Sequence, residues 1–518
     1  VIRTSDAARR TPGYYFPTPL AGAPDGLAAV CAALGHALGA TRAARRPEGP
    51  LPAGDPTAVL AAAGAPLGPA QLPTEGIGPE GALRLLARVL VEHGVDLTHP
   101  HAAAHLQPPP LAVAVAADAL ADAGNASVDT YDSGPSAIAV ERWVVDVLAR
   151  LAGLGPAADG VLTPGGSLSN LLGLLLARDA AAARRGVDAR RHGIAALPGP
   201  VVLCSELVHF SVHRACAALG LGEFAVRAIP VDGRRRMRPE ALAGVLRNLG
   251  PERTPLAVVA TAGNTDFGAI DPLPQLAEVT REHGVWLHVD AAYGFGALFS
   301  EHLAPRLAGL ELADSITVDL HKLGWQPAAA SVLLTAGAAA FAPLGREVAY
   351  LNPADDTDAG YEGLLGRSLQ TTRRADAVKI AATLLAHGRR GLGRLVDTCH
   401  GLATHAQQRI AAEPELELVC PVELTTVVFR YRTPYPAMDD EVNARLRRRL
   451  AESGRALVGR TATRLAGPGS PRRVCLKFTL LNPAATQRDV DALVDAVLDA
   501  GRECLTELDR ELDEEGAA

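Results

Sequence analysis

Between about residue 160 and residue 337 the chain alternates short apolar runs with helix-like stretches, and this alternation constrains the fold more than any other feature. PVVLCS (200–205), FAVRAIPV (224–231), LAVVATAG (256–263), VWLHVDAAY (285–293), DSITVDL (314–320) and SVLLTAG (331–337) suit short strands buried on both faces. Helical patterns such as LPQLAEVTREHG (273–284) lie between several of them. Strand and helix in alternation imply an α/β fold, with a mostly parallel central sheet flanked by helices. Such a sheet binds its ligands in the loops at the carboxyl ends of the strands.

The flanking regions differ in character. Upstream, apolar spacing predicts helices near 25–42 and over 81–97, 111–125 and 137–155, with PEGPLPAGDP (47–56) and THPHAAAHLQPPP (98–110) as loops. Downstream, strand patterns at 415–420, 425–432 and 474–481 and helical patterns over 439–454 and 486–512 predict a compact α+β unit. At 518 residues the chain is too long for one ordinary core. The expected division is an N-terminal helical segment (1–110), a large domain (111–395) and a small C-terminal α+β domain (396–518).

Composition narrows the function. The net charge is −7 and the arginine clusters are short and dispersed, so nucleic acid is not an expected partner. Seven scattered cysteines show no CxxC or Cys/His spacing, which predicts free thiols and no metal site. No leader pattern and no uncharged window of about 18 residues is found, so a cytoplasmic protein is expected, with no membrane partner. Only Lys322, Lys379 and Lys477 among the 50 basic residues are lysines. Lys322 lies at the centre of ADSITVDLHKLGWQPAAASVLL (313–334). A lysine amine can lose its proton and attack a carbonyl, which arginine cannot. From these residues alone, a nucleophilic amine and a surface lysine in an arginine-rich chain both stay open.

Five motifs then occur in order: TPGGSLSN, SELVHFSVHRA, TAGNTDFGAIDPL, WLHVDAAYG and DSITVDLHK. Together they resemble the group II pyridoxal-phosphate decarboxylases, which include aromatic-amino-acid, glutamate and 2,4-diaminobutyrate decarboxylases on the fold-type-I architecture. The likeness runs from about residue 95 to about residue 485. It implies that Lys322 carries pyridoxal 5'-phosphate covalently. Asp290, ending the strand VWLHVD, would meet the pyridine nitrogen and favour its protonated form. His209 corresponds to the residue stacked on the ring, Thr265 to the position near the ring hydroxyl, and Ala292 to the small residue under the ring.

Gly165 and Gly166 form a turn that opens a helix expected to begin near Asn170. Glycines let backbone approach a ligand, and amides at a helix start favour phosphate, so Ser167 and Leu168 are the expected main-chain donors. His321 is the expected side-chain phosphate contact. Asp319 would be awkward beside a phosphate, and a hydrogen bond to backbone is one role for it. The family carries a mobile loop whose tyrosine acts in the last step. REVAYLNPADDTDAGYEGLLGRSLQTTRR (346–374) has the glycines, prolines and charges of such a lid, with Tyr361 and Tyr350 as candidates. Arg373 and Arg374 resemble a family pair that supports the loop or a partner subunit's phosphate, with structural ion pairing as the other reading.

The resemblance implies a carboxy-lyase that converts an L-amino acid to an amine and CO2. YLNPADDTD, SLQTTRRADA and LKFTLLNP look most like the 2,4-diaminobutyrate-type bacterial members. DTYDSGPSAIAVE (129–141) departs from the commoner Ser-Pro-Ala pattern at Gly134-Pro135-Ser136, which leaves a non-standard amino acid open. An oxidative deaminase or aldehyde synthase of the same family is the alternative outcome. A non-catalytic binding protein on the same fold is a third, and the intact Lys322, Asp290 and His209 set argues against it. Family members are homodimers, and the Ala-rich helices of residues 81–155 suit burial against a second copy.

Overall fold

The computed structural model describes residues 20–516, apart from 44, 45, 47, 466 and 468. Its strands in chain order are β1 (Ala102–Ala103), β2 (Asp159–Thr163), β3 (Pro200–Ser205), β4 (Val226–Ile229), β5 (Thr254–Thr261) and β6 (Trp286–Asp290). They continue with β7 (Ser315–Asp319), β8 (Ser331–Thr335), β9 (Leu416–Leu418), β10 (Thr426–Tyr431), β11 (Leu457–Arg464) and β12 (Arg472–Thr479). Seven of them form one sheet in the order β2-β8-β7-β6-β5-β3-β4. Strands β4, β3, β5, β6 and β7 run parallel, and β8 is antiparallel to both of its neighbours.

The unbroken apolar runs have the expected cause. Val201 and Leu203 enter one hydrophobic cluster, while Val202 and Cys204 enter another on the opposite face. In β5, Val258 and Ala260 alternate with Ala257 and Val259 in the same way. Both faces of the sheet are therefore covered, and each buried Val or Leu contributes about 1.5–3 kcal/mol. The helix Gly166–Arg184 packs across β5 to β8. It approaches so closely at Gly173 that a Cβ there would lie 2.6 Å from the His288 ring.

Three features of the large sheet and the N-terminal region differ from the sequence reading. β2 offers only a short apolar run before the glycine turn, and it becomes a strand because β8 turns back and presents an edge to it. The helix expected near Asn170 begins at Gly166. A helix at Pro56–Gly64, started by Asp55 accepting the Thr57 and Ala58 amides, closes the stretch read as a loop.

The second sheet has the order β1-β11-β12-β10-β9 and its own core, to which the helices Asp439–Glu452 and Gln487–Gly516 contribute. β11 was not among the expected strands, and β1 arises within the proline-ended loop by pairing parallel to Leu457 and Val458. Trp325 ties the sheets together: it is fully buried and its Nε1 donates to the Leu481 carbonyl at 2.9 Å. No helix among the described residues is long and apolar enough to cross a membrane.

Candidate active site

The carboxyl ends of the parallel strands and the start of the helix Gly166–Arg184 enclose a cavity of about 210 Å³. Lys322, Asp290, His209, Thr265, Ala292 and His321 all line it, as does Ser167. Residues far apart in the chain meet here because parallel strands place their following loops on one edge of the sheet.

Asp290 ends β6 and is buried. Its Oδ1 accepts the Ala292 amide at 3.1 Å, and its Oδ2 accepts Asn170 Nδ2 at 2.9 Å. Asn170 Nδ2 also donates to Ser211 Oγ at 2.9 Å, while its Oδ1 accepts the Thr317 hydroxyl at 2.7 Å. His288 Nε2 lies 3.0 Å from that same Oδ1, and His288 Nδ1 lies 2.8 Å from Ser315 Oγ. Burial pushes the His288 pKa down to about 4 against the opposing pull of Asp290, so the imidazole is neutral at pH 7. The network assigns the proton to Nε2, donated to Asn170, and Nδ1 accepts from Ser315. A chain of buried bonds thus fixes the Asp290 carboxylate, and only Asp290 and Ala292 of its members were anticipated from the sequence. Asn170, His288 and Ser315 were legible as motif letters, but nothing in their spacing shows that they touch.

Lys322 follows β7. Its Nζ lies 3.0 Å from Asp319 Oδ2, and Asp319 Oδ1 accepts the Ser331 hydroxyl at 2.5 Å. Asp319 therefore takes a side-chain hydroxyl and the lysine, where a backbone bond was one of the roles open to it. A Cβ on Gly166 would lie 2.9 Å from the Asp319 carboxylate oxygens. His321 Nε2 stands 3.6 Å from Asp319, and its Nδ1 stands 3.3 Å from the Ala330 carbonyl.

His209 is half-buried, with Nδ1 2.8 Å from Ser211 Oγ and its ring tilted on Phe210 at 4.3 Å. Burial lowers its pKa, Lys322 and Arg214 reinforce this, and the carboxylates of Asp290 and Asp319 oppose it. The loop bearing Thr265 is held by the C-terminal sheet: Lys477 Nζ donates to the Thr265 carbonyl at 3.1 Å and pairs with Asp266 at 3.2 Å.

Five expected residues stand outside the cavity. The Leu168 amide donates to the Gly165 carbonyl at 2.9 Å, because the helix starts four residues earlier than expected and this amide falls inside its first turn. Tyr361 is 54 % exposed and packs its ring edgewise on Tyr131 at 5.2 Å, and Tyr350 is 83 % exposed. Arg373 Nη1 pairs with Glu141 at 2.8 Å in the interior, and Arg374 pairs with Asp118, Asp122 and Asp376.

The donor set fits pyridoxal phosphate. One cavity holds a primary amine, a buried carboxylate with a fixed rotamer, a half-buried imidazole and the opening turn of a helix. The buried Thr261 hydroxyl at its wall has no hydrogen-bond partner among the described residues, as expected of a wall that faces a polar ligand.

Comparison with known proteins agrees. The family described as pyridoxal-dependent decarboxylase conserved domain matches residues 79–432. The chain is 44 % identical over 439 residues to the L-2,4-diaminobutyrate decarboxylase of Rhizobium meliloti (strain 1021), covering 84 % of each protein. It is 35 % identical to the enzyme of that name from Acinetobacter baumannii, covering 82 % of this chain and 84 % of that protein. Among solved structures, it is similar to the glutamate decarboxylase domain of diaminobutyrate-pyruvate transaminase and L-2,4-diaminobutyrate decarboxylase from Vibrio parahaemolyticus. That likeness has a TM-score of 0.81 at 31 % identity and covers 92 % of this chain and 96 % of that one. The chain belongs to the pyridoxal-dependent decarboxylase family and is a carboxy-lyase that decarboxylates an amino acid with pyridoxal phosphate as its cofactor.

Proposed function

We propose that the substrate is L-2,4-diaminobutyrate, and the observation that carries this is the 44 % identity, over 84 % of both chains, to an enzyme of that name. Bound pyridoxal phosphate supplies the electron sink for the pair released when the carboxylate bond breaks. The chain's own residues supply position and proton control. Lys322 is the amine that holds the cofactor, and Asp319 keeps that amine in the cavity at 3.0 Å until it reacts. Asp290 holds a proton on the ring nitrogen, and its orientation is set through Asn170 and His288. His209 would stack on the cofactor ring, Ala292 would leave room for it, and Thr265 would serve its hydroxyl, all three lining the cavity. Ser167 and His321 would hold the phosphate, while the Leu168 amide closes the same turn on the Gly165 carbonyl.

The lid tyrosine, Tyr361 or Tyr350, delivers the proton that replaces the lost carboxylate, and this requires the lid to move from its present position. We further read the chain as a homodimer in the cytoplasm, divided at about residues 110 and 395. Seven free cysteines and exposed leucines on the N-terminal helices support the location and the association.

A panel of amino acids assayed for CO2 release tests the proposal, and diaminobutyrate is expected to be turned over at least about tenfold faster than glutamate or an aromatic amino acid. Preference for either of those removes the substrate assignment. Product analysis in the same assay separates amine from aldehyde and peroxide. Unchanged amine output by Tyr361→Phe, with no aldehyde, moves the proton-donor role to Tyr350.

A further inference from the structure

Lys477 is a buried lysine outside the lining of the catalytic cavity. It lies in β12, the strand between β10 and β11, where it stands opposite Val428 on one side and Gly459 on the other. Its neighbours Leu476 and Phe478 enter the C-terminal core. Strand alternation therefore turns Cys475 and Lys477 to the other face of the sheet. That face meets the loop between β5 and the helix Leu273–His283, the loop that carries Thr265. A strand paired on both edges is a rigid mount for whatever its side chains hold.

The body and the tip of this loop are held differently. In the body, Asn264 Oδ1 accepts the Phe267 amide at 2.8 Å, and the Asn264 carbonyl accepts the Gly268 amide at 2.9 Å. The Phe267 side chain is buried in a cluster with Val428 and Cys475. At the tip, Thr265 is exposed, and among the described residues its one hydrogen bond is the bond its carbonyl accepts from Lys477 Nζ at 3.1 Å. Asp266 beside it takes Lys477 on Oδ1 at 3.2 Å and the Thr461 hydroxyl on Oδ2 at 2.7 Å. The C-terminal sheet thus supplies the contacts that place Thr265 at the cavity rim.

We propose that Lys477 is a positioning residue for the reaction: by holding the Thr265 carbonyl it fixes where the Thr265 side chain meets the cofactor. This rests on the place given above to Thr265 beside the cofactor ring. Precision matters there, because a shift of about 1 Å in a contacting group can cost about 100-fold in rate. The acceptor is main chain, so the side chain at position 265 can be changed without removing the bond.

The test is a double-mutant cycle on pyridoxal phosphate binding, read by absorbance titration of the apoenzymes of wild type, Lys477→Met, Thr265→Ala and the double variant. Lys477→Met is expected to weaken cofactor binding about tenfold in the wild-type background and less than about twofold beside Thr265→Ala, whose positioned hydroxyl is already gone. Lys477→Met keeps the length of the stem and loses the donors, and Asp266 retains Thr461 and stays open to water, so the variant is expected to fold with unchanged far-ultraviolet circular dichroism. Lys477→Gln repeats the cycle should the apolar variant fail to fold. With cofactor binding weakened by Thr265→Ala, wild-type affinity in the Lys477 variant overturns the proposal. An equal loss in both backgrounds does so too, since a merely structural tie acts whatever stands at position 265. Wild-type affinity in Thr265→Ala itself sinks the placement of Thr265 beside the ring, and the proposal with it.

Discussion

His288 shows how one side chain can serve a site it does not line. Fully buried, it is held neutral and orients Asn170, which in turn orients Asp290. Its folded pKa of about 4 lies below its ordinary value of 6.5, so the unfolded chain binds the extra proton first as pH falls. The stability this residue contributes is complete above about pH 6.5 and is lost progressively down to about pH 4, with roughly 2 kcal/mol gone by about pH 5. Asp271 works in the opposite sense, since full burial pushes its pKa up to about 6, so the net curve mixes the two. The difference between wild type and His288→Asn isolates the histidine. Urea unfolding at about pH 7 and about pH 5 is expected to show a smaller pH loss in the variant by roughly 2 kcal/mol; equal losses would remove His288 as the titrating group. Lys322, Asp290 and His209 were legible because each lies in a motif. The contacts of Asp319 with Ser331 and Lys322 were not legible because they depend on how β7 and β8 pair.

The decisive element is the helix Gly166–Arg184, whose first turn faces the catalytic cavity while its body crosses the sheet. Its start needs a residue without a side chain at Gly166, because a Cβ would press on an Asp319 carboxylate already fixed by Ser331 and Lys322. Gly166→Ala is therefore expected to distort the cavity by overpacking and to weaken pyridoxal phosphate binding about tenfold while the chain still folds. Absorbance titration of the apoenzyme measures this, and wild-type affinity in a folded variant would show that the turn has slack. The helix itself was readable from its long apolar pattern. Its first residue was not, since a glycine pair reads equally well as a turn before a helix or as a helix start. β2 and β11 escaped for a related reason: a strand edge is completed by its neighbour, and a short run carries too little periodicity of its own.

At the scale of the whole molecule, the N-terminal helices Gly26–Ala43 and Gly78–His93 pack on each other and leave Leu34, Leu38, Leu86 and Leu90 exposed. A second copy of the chain is the proposed cover. Leu34→Glu combined with Leu90→Glu is expected to convert a dimer to a monomer in sedimentation velocity with unchanged far-ultraviolet circular dichroism. A wild-type chain that sediments as a monomer would refute the association outright. The layered α/β architecture and the choice of Lys322 and Asp290, which share one cavity, follow from the order of residues, because strand burial and motif chemistry are local properties. The reversed direction of β8, the pairing of β1 with β11, the Asn170–His288 support beneath Asp290 and the bond from Lys477 to the Thr265 carbonyl became visible only in three dimensions. Each joins residues distant in the chain, and their meeting depends on the folding of everything between them.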